Sequence, residues 1–150
     1  MCRVTLPAAP PVTAPPEREP RPLSPPSGRR PRLLLIDDEE RLLYAIAEQL
    51  SAEFEVESTA SGDAAIDILI DRDFDAVVCD LMMPGTSGAD VYEAVRGHRP
   101  GLEKRFVFMT GGAFTTSTRR FLQGVGNPRL DKPFGVEELS VVVRQLLARR

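Results

Sequence analysis

Three apolar runs in this chain each end in a group able to handle a metal ion or a phosphoryl oxygen. Leu33-Leu34-Leu35-Ile36 ends in Asp37-Asp38, Ala76-Val77-Val78-Cys79 ends in Asp80, and Phe106-Val107-Phe108-Met109 ends in Thr110. A fourth short element, Leu130-Asp131, delivers Lys132 just before Pro133. In an open parallel α/β sheet, ligands bind in the crevice outside the carboxyl ends of the strands. If these runs are adjacent parallel strands, three carboxylates, a hydroxyl and an ammonium converge on one small site. Such a set is suited to moving a phosphoryl group onto a carboxylate.

Each member also has an ordinary reading. Asp37-Asp38-Glu39-Glu40 would serve equally as acids at a helix N-terminus, capping free N–H groups and favouring the dipole. A lone lysine is usually a solvated surface residue, and a lone threonine a strand-end hydroxyl. Asp80 is harder to dismiss, because an ionised carboxylate following Ala-Val-Val-Cys is costly unless paired or metal-bound. Three carboxylates at one sheet edge repel one another unless a cation joins them. Mg²⁺ fits that role, since it takes a few carboxylates and accepts phosphate oxygens. Carboxylates act as nucleophiles to form acyl phosphates, and such transfer is largely positioning and charge neutralisation. Lys132 would add positive charge, and Thr110 with nearby backbone N–H groups would add donors. A Lys132–Pro133 bond can be cis, which would aim the lysine into the crevice.

The elements needed to position these groups are visible around them. From Arg32 onward, apolar runs of strand length alternate with helical periodicity, the pattern of βαβ units. Leu42, Leu43, Ile46, Ala47 and Leu50 form one helix face, and Phe54–Ser58 alternates like an edge strand. Ser61 is a candidate N-cap for a helix carrying Ala65, Ile66, Ile68 and Leu69. Further helices are expected near Ala89–Arg96, Phe114–Leu122 and along Leu139, Val142, Val143, Leu146 and Leu147. Glu137 and Glu138 open that last helix, as the macrodipole favours. Five strands and five helices in alternation imply a three-layer α/β sandwich.

Composition narrows the function classes. Residues 1–31 hold ten of the fourteen prolines and five arginines against two glutamates. That segment cannot bury enough apolar surface to offset its ordering entropy, so it is expected to be a disordered linker. The chain as a whole is −3, so residues 32–150 carry −6. A net acidic domain argues against a nucleic-acid surface, which needs a basic stripe. The two cysteines, Cys2 and Cys79, give neither a disulfide framework nor a zinc pattern. No segment approaches the length of a membrane span and the N-terminus lacks an apolar signal region, so a cytoplasmic protein without membrane insertion is expected.

Taken together, Asp37-Asp38, the stretch Asp80-Leu81-Met82-Met83-Pro84-Gly85-Thr86-Ser87-Gly88, Thr110 and Lys132-Pro133-Phe134 resemble a response-regulator receiver domain. The resemblance spans residues 32–150. It implies a flavodoxin-like (βα)5 fold with a parallel five-stranded sheet in the order 2-1-3-4-5. It also implies that Asp80 accepts a phosphoryl group from a phosphohistidine on a sensor kinase. Asp38 would bind Mg²⁺ directly and Asp37 through water, with the Met82 backbone carbonyl as a further ligand. Thr110 and Lys132 would hold the phosphoryl oxygens. Thr110-Gly111-Gly112 and Asn127-Pro128-Arg129-Leu130 are similar to receivers at the C-termini of hybrid histidine kinases. The domain is then a signalling phosphoacceptor rather than an enzyme with a turnover substrate. Because the chain stops after its last helix, output is expected by contact with a downstream protein, while Met1 suggests a free-standing gene. Two other classes stand beside this: a phosphorylation-independent scaffold, and a phosphatase working through an aspartyl phosphate. The latter usually wants an Asp-x-Asp pair, and Met82 occupies the second position here.

One departure bears on output. Many receivers carry Tyr or Phe three residues before the lysine, and here that position is Arg129. Phosphorylation is therefore expected to be reported by ordering of the Gly111–Thr118 loop instead of an aromatic flip.

Overall fold

The computed structural model describes residues 30–111 and 115–149. The expected linker at residues 1–31 lies, but for its last two residues, outside the described residues. Five strands form the sheet: β1 Arg32–Ile36, β2 Glu55–Thr59, β3 Ala76–Asp80, β4 Phe106–Thr110 and β5 Arg129–Asp131. They are interleaved with α1 Glu40–Leu50, α2 Gly62–Asp71, α3 Gly88–His98, α4 Thr116–Gly124 and α5 Val136–Ala148, and a short 3₁₀ turn, Leu102–Arg105, precedes β4. All strand pairs are parallel and the order is β2-β1-β3-β4-β5, the flavodoxin-like arrangement.

A parallel sheet covered by helices on both faces needs strands that are apolar without alternation. β3 and β4 meet that demand, being buried at every position. Alternate residues feed two cores. Leu34, Ile36, Val77, Cys79, Phe106 and Phe108 face Ala65 and Leu69 of α2, Val91, Tyr92 and Val95 of α3, and Leu122 of α4. Leu33, Leu35, Ala76, Val78, Val107, Met109 and Leu130 face Leu43, Ile46 and Leu50 of α1 and Leu139, Val143, Leu146 and Leu147 of α5. Burial of each large side chain contributes about 1.5–3 kcal/mol before entropy is counted. β2 lies at the edge and is only half covered, as its sequence alternation implied. No helix among the described residues is long and apolar enough to cross a membrane.

Helix starts follow local capping chemistry. The Ser61 side chain accepts from the Ala64 N–H at 3.2 Å, as expected for α2. Ser87 and Asp90 exchange side-chain and backbone bonds in a capping box that opens α3. α4 begins later than the expected Phe114, because the Thr115 hydroxyl caps it by accepting from the Thr118 N–H at 3.1 Å. Phe114 itself, with Gly112 and Ala113, lies outside the described residues. The helix then runs two residues beyond Leu122. Its apolar signal is thin: Leu122 is its one buried residue, with Phe121 packed edge-on against Phe108 and Tyr92.

Candidate acidic phosphoryl site

Register brings the polar strand ends together. Ile36 pairs with Cys79, so Asp37 follows alongside Asp80, and Asp80 in turn pairs with Met109 just before Thr110. This is the switch point of the sheet, where chain order reverses between β1 and β3. Carboxylate oxygens of Asp37, Asp38 and Asp80 lie within 4.8 Å of one another. Asp37 and Asp80 are buried, whereas Asp38 is exposed.

Each buried acid is held by specific donors. Asp37 Oδ1 accepts from the Glu39 N–H at 2.9 Å, and its Oδ2 accepts from Lys132 Nζ at 2.8 Å. Asp80 Oδ1 accepts from the Met82 N–H at 3.1 Å, and its Oδ2 faces Lys132 Nζ at 3.3 Å. Lys132 follows β5 and its bond to Pro133 is cis. Its ammonium therefore bridges two acids that come from different strands. Burial pushes the Asp80 carboxyl up to about 6, and the negative charge of Asp37 adds to the rise, against the Met82 N–H and Lys132. Burial alone would lower the Lys132 ammonium, but its bond to Asp37 and the charge of Asp80 outweigh that and raise it.

The β3–α3 loop is pressed onto the site. A Cβ on Gly88 would collide with the Asp80 carbonyl oxygen and lie 2.8 Å from Leu81 Cα, so this position accepts only glycine without a shift. The same loop is tied to α2: Thr86 Oγ1 donates to Asp63 Oδ1 at 2.6 Å, and a Cβ on Gly62 would come within 2.6 Å of the Thr86 carbonyl oxygen. Met82, exposed beside Asp80, accepts a weak bond from Thr118 Oγ1 at 3.5 Å, linking the acidic loop to α4. A groove of about 550 Å³ lies between Met82-Met83-Pro84 and Thr115–Thr118.

Four of the sequence-derived candidates thus meet in one place: Asp37, Asp38, Asp80 and Lys132. Thr110 stands at the expected strand end, fully buried, but its hydroxyl points elsewhere. It donates to Asp131 Oδ1 at 2.6 Å, with the Leu130 carbonyl at 3.4 Å. Asp131 was not among the residues expected at the site. The signal that could have exposed it is the pairing of Thr110 with Asp131, which is a property of the assembled sheet.

The donor set is suited to a hard divalent cation. All its side-chain atoms are carboxylate oxygens, and three carboxylates against one ammonium leave a formal −2 that such an ion balances.

Comparison with known proteins agrees with this architecture. The family model for the response regulator receiver domain matches residues 33–144. The transcriptional regulatory protein TcrA of Mycobacterium tuberculosis is 31% identical over 119 residues, spanning 79% of this chain and 46% of TcrA. The sensor histidine kinase GacS of Pseudomonas protegens is 32% identical over 123 residues, spanning 78% of this chain and 13% of GacS. The chain thus spans under half the length of either relative. The receiver domain of the sensor histidine kinase PA1611 from Pseudomonas aeruginosa superposes with a TM-score of 0.66 at 22% identity, covering 79% of this chain and 98% of that one. That likeness is one of fold, and the PA1611 domain carries a magnesium ion coordinated in its active-site cleft. On the family match and the flavodoxin-like sheet with its acidic switch point, this chain belongs to the response regulator receiver domains of two-component systems.

Proposed function

We propose that Asp80 accepts a phosphoryl group from a phosphohistidine on a sensor or hybrid histidine kinase. The observation that carries this reading is the Asp80 carboxylate, buried at the switch point with Lys132 Nζ at 3.3 Å and two further acids beside it. In the transfer, an Asp80 oxygen forms a P–O bond as the donor P–N bond breaks, and the departing imidazole takes up a proton. Asp37, Asp38, Asp80 and the Met82 carbonyl would hold Mg²⁺, which when bound offsets their charge and that of the phosphoryl oxygens. Lys132, already desolvated between Asp37 and Asp80, is placed to pair with the incoming phosphoryl oxygens. Thr110 supplies a hydroxyl donor from β4 once it turns from Asp131. Attack of water on the acyl phosphate returns the free carboxylate.

In this reading residues 32–150 are the receiver unit, residues 1–31 a Pro-rich linker, and the protein works in the cytoplasm through contact with a downstream protein. The test is intact-mass measurement after incubation with Mg²⁺ and acetyl phosphate. A single labile phosphoryl adduct is expected, absent in Asp80→Asn and in EDTA. No adduct under any condition would point instead to a phosphorylation-independent scaffold, and rapid turnover of unrelated phosphate esters to a phosphatase.

A further inference from the structure

Thr110 lies on β4 between two acids on the neighbouring strands, Asp80 on β3 and Asp131 on β5. Thr110 and Asp131 are register partners. Phe108, two residues earlier on β4, packs in the core under α2–α4, so Thr110 shares that face by the alternation of side chains. On β5, Leu130 packs in the opposite core, which turns Arg129 and Asp131 to the Thr110 side. The hydroxyl carries one proton and gives it to Asp131 at 2.6 Å, the length of a charge-assisted bond. By the same alternation Asp80, which follows Cys79 of the core under α2–α4, turns to the opposite face. The hydroxyl can therefore meet a phosphoryl oxygen on Asp80 only over the strand ends, after a discrete χ1 rotation that breaks the Asp131 bond. Among the described residues Asp131 has no other hydrogen bond or ion pair, so its carboxylate is committed to Thr110.

We propose that Asp131 is a positioning residue that latches the Thr110 hydroxyl away from Asp80, and that phosphorylation of Asp80 must open this latch. The inference rests on the reading of Asp80 as phosphoacceptor. Donation to Asp131 and donation to a phosphoryl oxygen on Asp80 exclude one another, because both draw on the same proton. Opening the latch frees an exposed carboxylate two residues from the exposed Arg129. Occupancy of the buried site is thereby coupled to the surface of β5 without an aromatic side chain at position 129.

Asp131→Ala removes the acceptor, while Asp131→Asn removes the charge and keeps a side-chain oxygen that can accept. Two readouts separate the possibilities. Three-bond NMR couplings of Thr110 should report one χ1 rotamer in the wild type and in Asp131→Asn, and averaging in Asp131→Ala. Phosphorylation by acetyl phosphate with Mg²⁺ should be about fivefold faster in Asp131→Ala, the factor that one hydrogen bond of ordinary net strength represents, and near the wild-type rate in Asp131→Asn. An unchanged Thr110 rotamer in Asp131→Ala would overturn the latch. Equal acceleration in Asp131→Ala and Asp131→Asn would overturn it too, by showing that relief of charge repulsion is the cause. An adduct on the wild type with no effect of Asp131→Ala refutes the coupling alone. No adduct on the wild type refutes both the coupling and the phosphoacceptor reading, whatever the rotamers show.

Discussion

The Asp80 carboxylate costs folding free energy where it stands, and its neighbours offset only part of that cost. The Met82 N–H and the Lys132 ammonium favour its charged form, while burial and the neighbouring Asp37 oppose it and win, raising its carboxyl to about 6 from the ordinary 3.8. Between those values the folded protein binds more protons at Asp80 than the unfolded chain does. Stability from this group is therefore fully present below about pH 4 and is lost as pH rises through about 6. Asp80→Asn should accordingly raise the Tm of the metal-free protein at pH 7.5, by about 1–3 kcal/mol in free energy, and leave it nearly unchanged at pH 4. Thermal melts of both proteins across that range check it, and a pH-independent difference would contradict the account. The acids were legible in sequence because a charge ending a continuous apolar run demands a partner, and the lysine because Pro133 directly follows it. The direction of the Thr110 hydroxyl was not, because it is set by a neighbour twenty-one positions away in the chain.

At the level of elements, the β3–α3 loop does the positioning. Gly88 starts α3 with its N–H bonded to the Leu81 carbonyl at 3.2 Å, so the helix turns tightly against the strand end that carries Asp80. Gly88→Ala would drive a methyl group into the Asp80 backbone, where no flexible side chain can yield. A loss of about 1–3 kcal/mol in folding stability is expected, in the range of overpacking, together with slower formation of the phosphoryl adduct. Denaturant unfolding and intact-mass kinetics on the same variant read both effects. Gly97, with open space around it, is the matching control. β1, β3 and β4 were readable from unbroken apolar runs, as doubly covered strands require. The boundaries of α4 were not, since its one buried residue, Leu122, marks a face of the helix but neither of its ends.

Over the whole molecule, the two acids of the first motif have different tasks. Asp37 is buried and bonded to Glu39 and Lys132, so it belongs to the folded framework. Asp38 is exposed and has no hydrogen bond or ion pair among the described residues. Three carboxylates close together in a metal-free site repel one another, and a cation that binds only the folded state adds stability by mass action. Asp38→Ala should therefore leave the metal-free Tm unchanged or slightly raised, and remove most of the rise in Tm that Mg²⁺ gives the wild type. A Mg²⁺ titration followed by thermal melting distinguishes this from a structural role, in which the metal-free Tm would fall. The flavodoxin-like order of strands was legible only through the resemblance carried by the motifs. Alternation of strands and helices by itself implies layers, not which strand lies beside which.

The sequence by itself determined the polar groups that end each strand, and that a carboxylate at position 80 would need positive charge nearby. Apolar runs and helix periodicity are local, so burial alone forces them into a covered sheet with those groups at its edge. Only the tertiary structure decided how the groups pair. It set Lys132 nearer to Asp37 than to Asp80, left Asp38 without a hydrogen bond or ion pair among the described residues, and turned the Thr110 hydroxyl to donate to Asp131. Such choices depend on register and on which strands are neighbours, and both are fixed by packing between residues far apart in the chain.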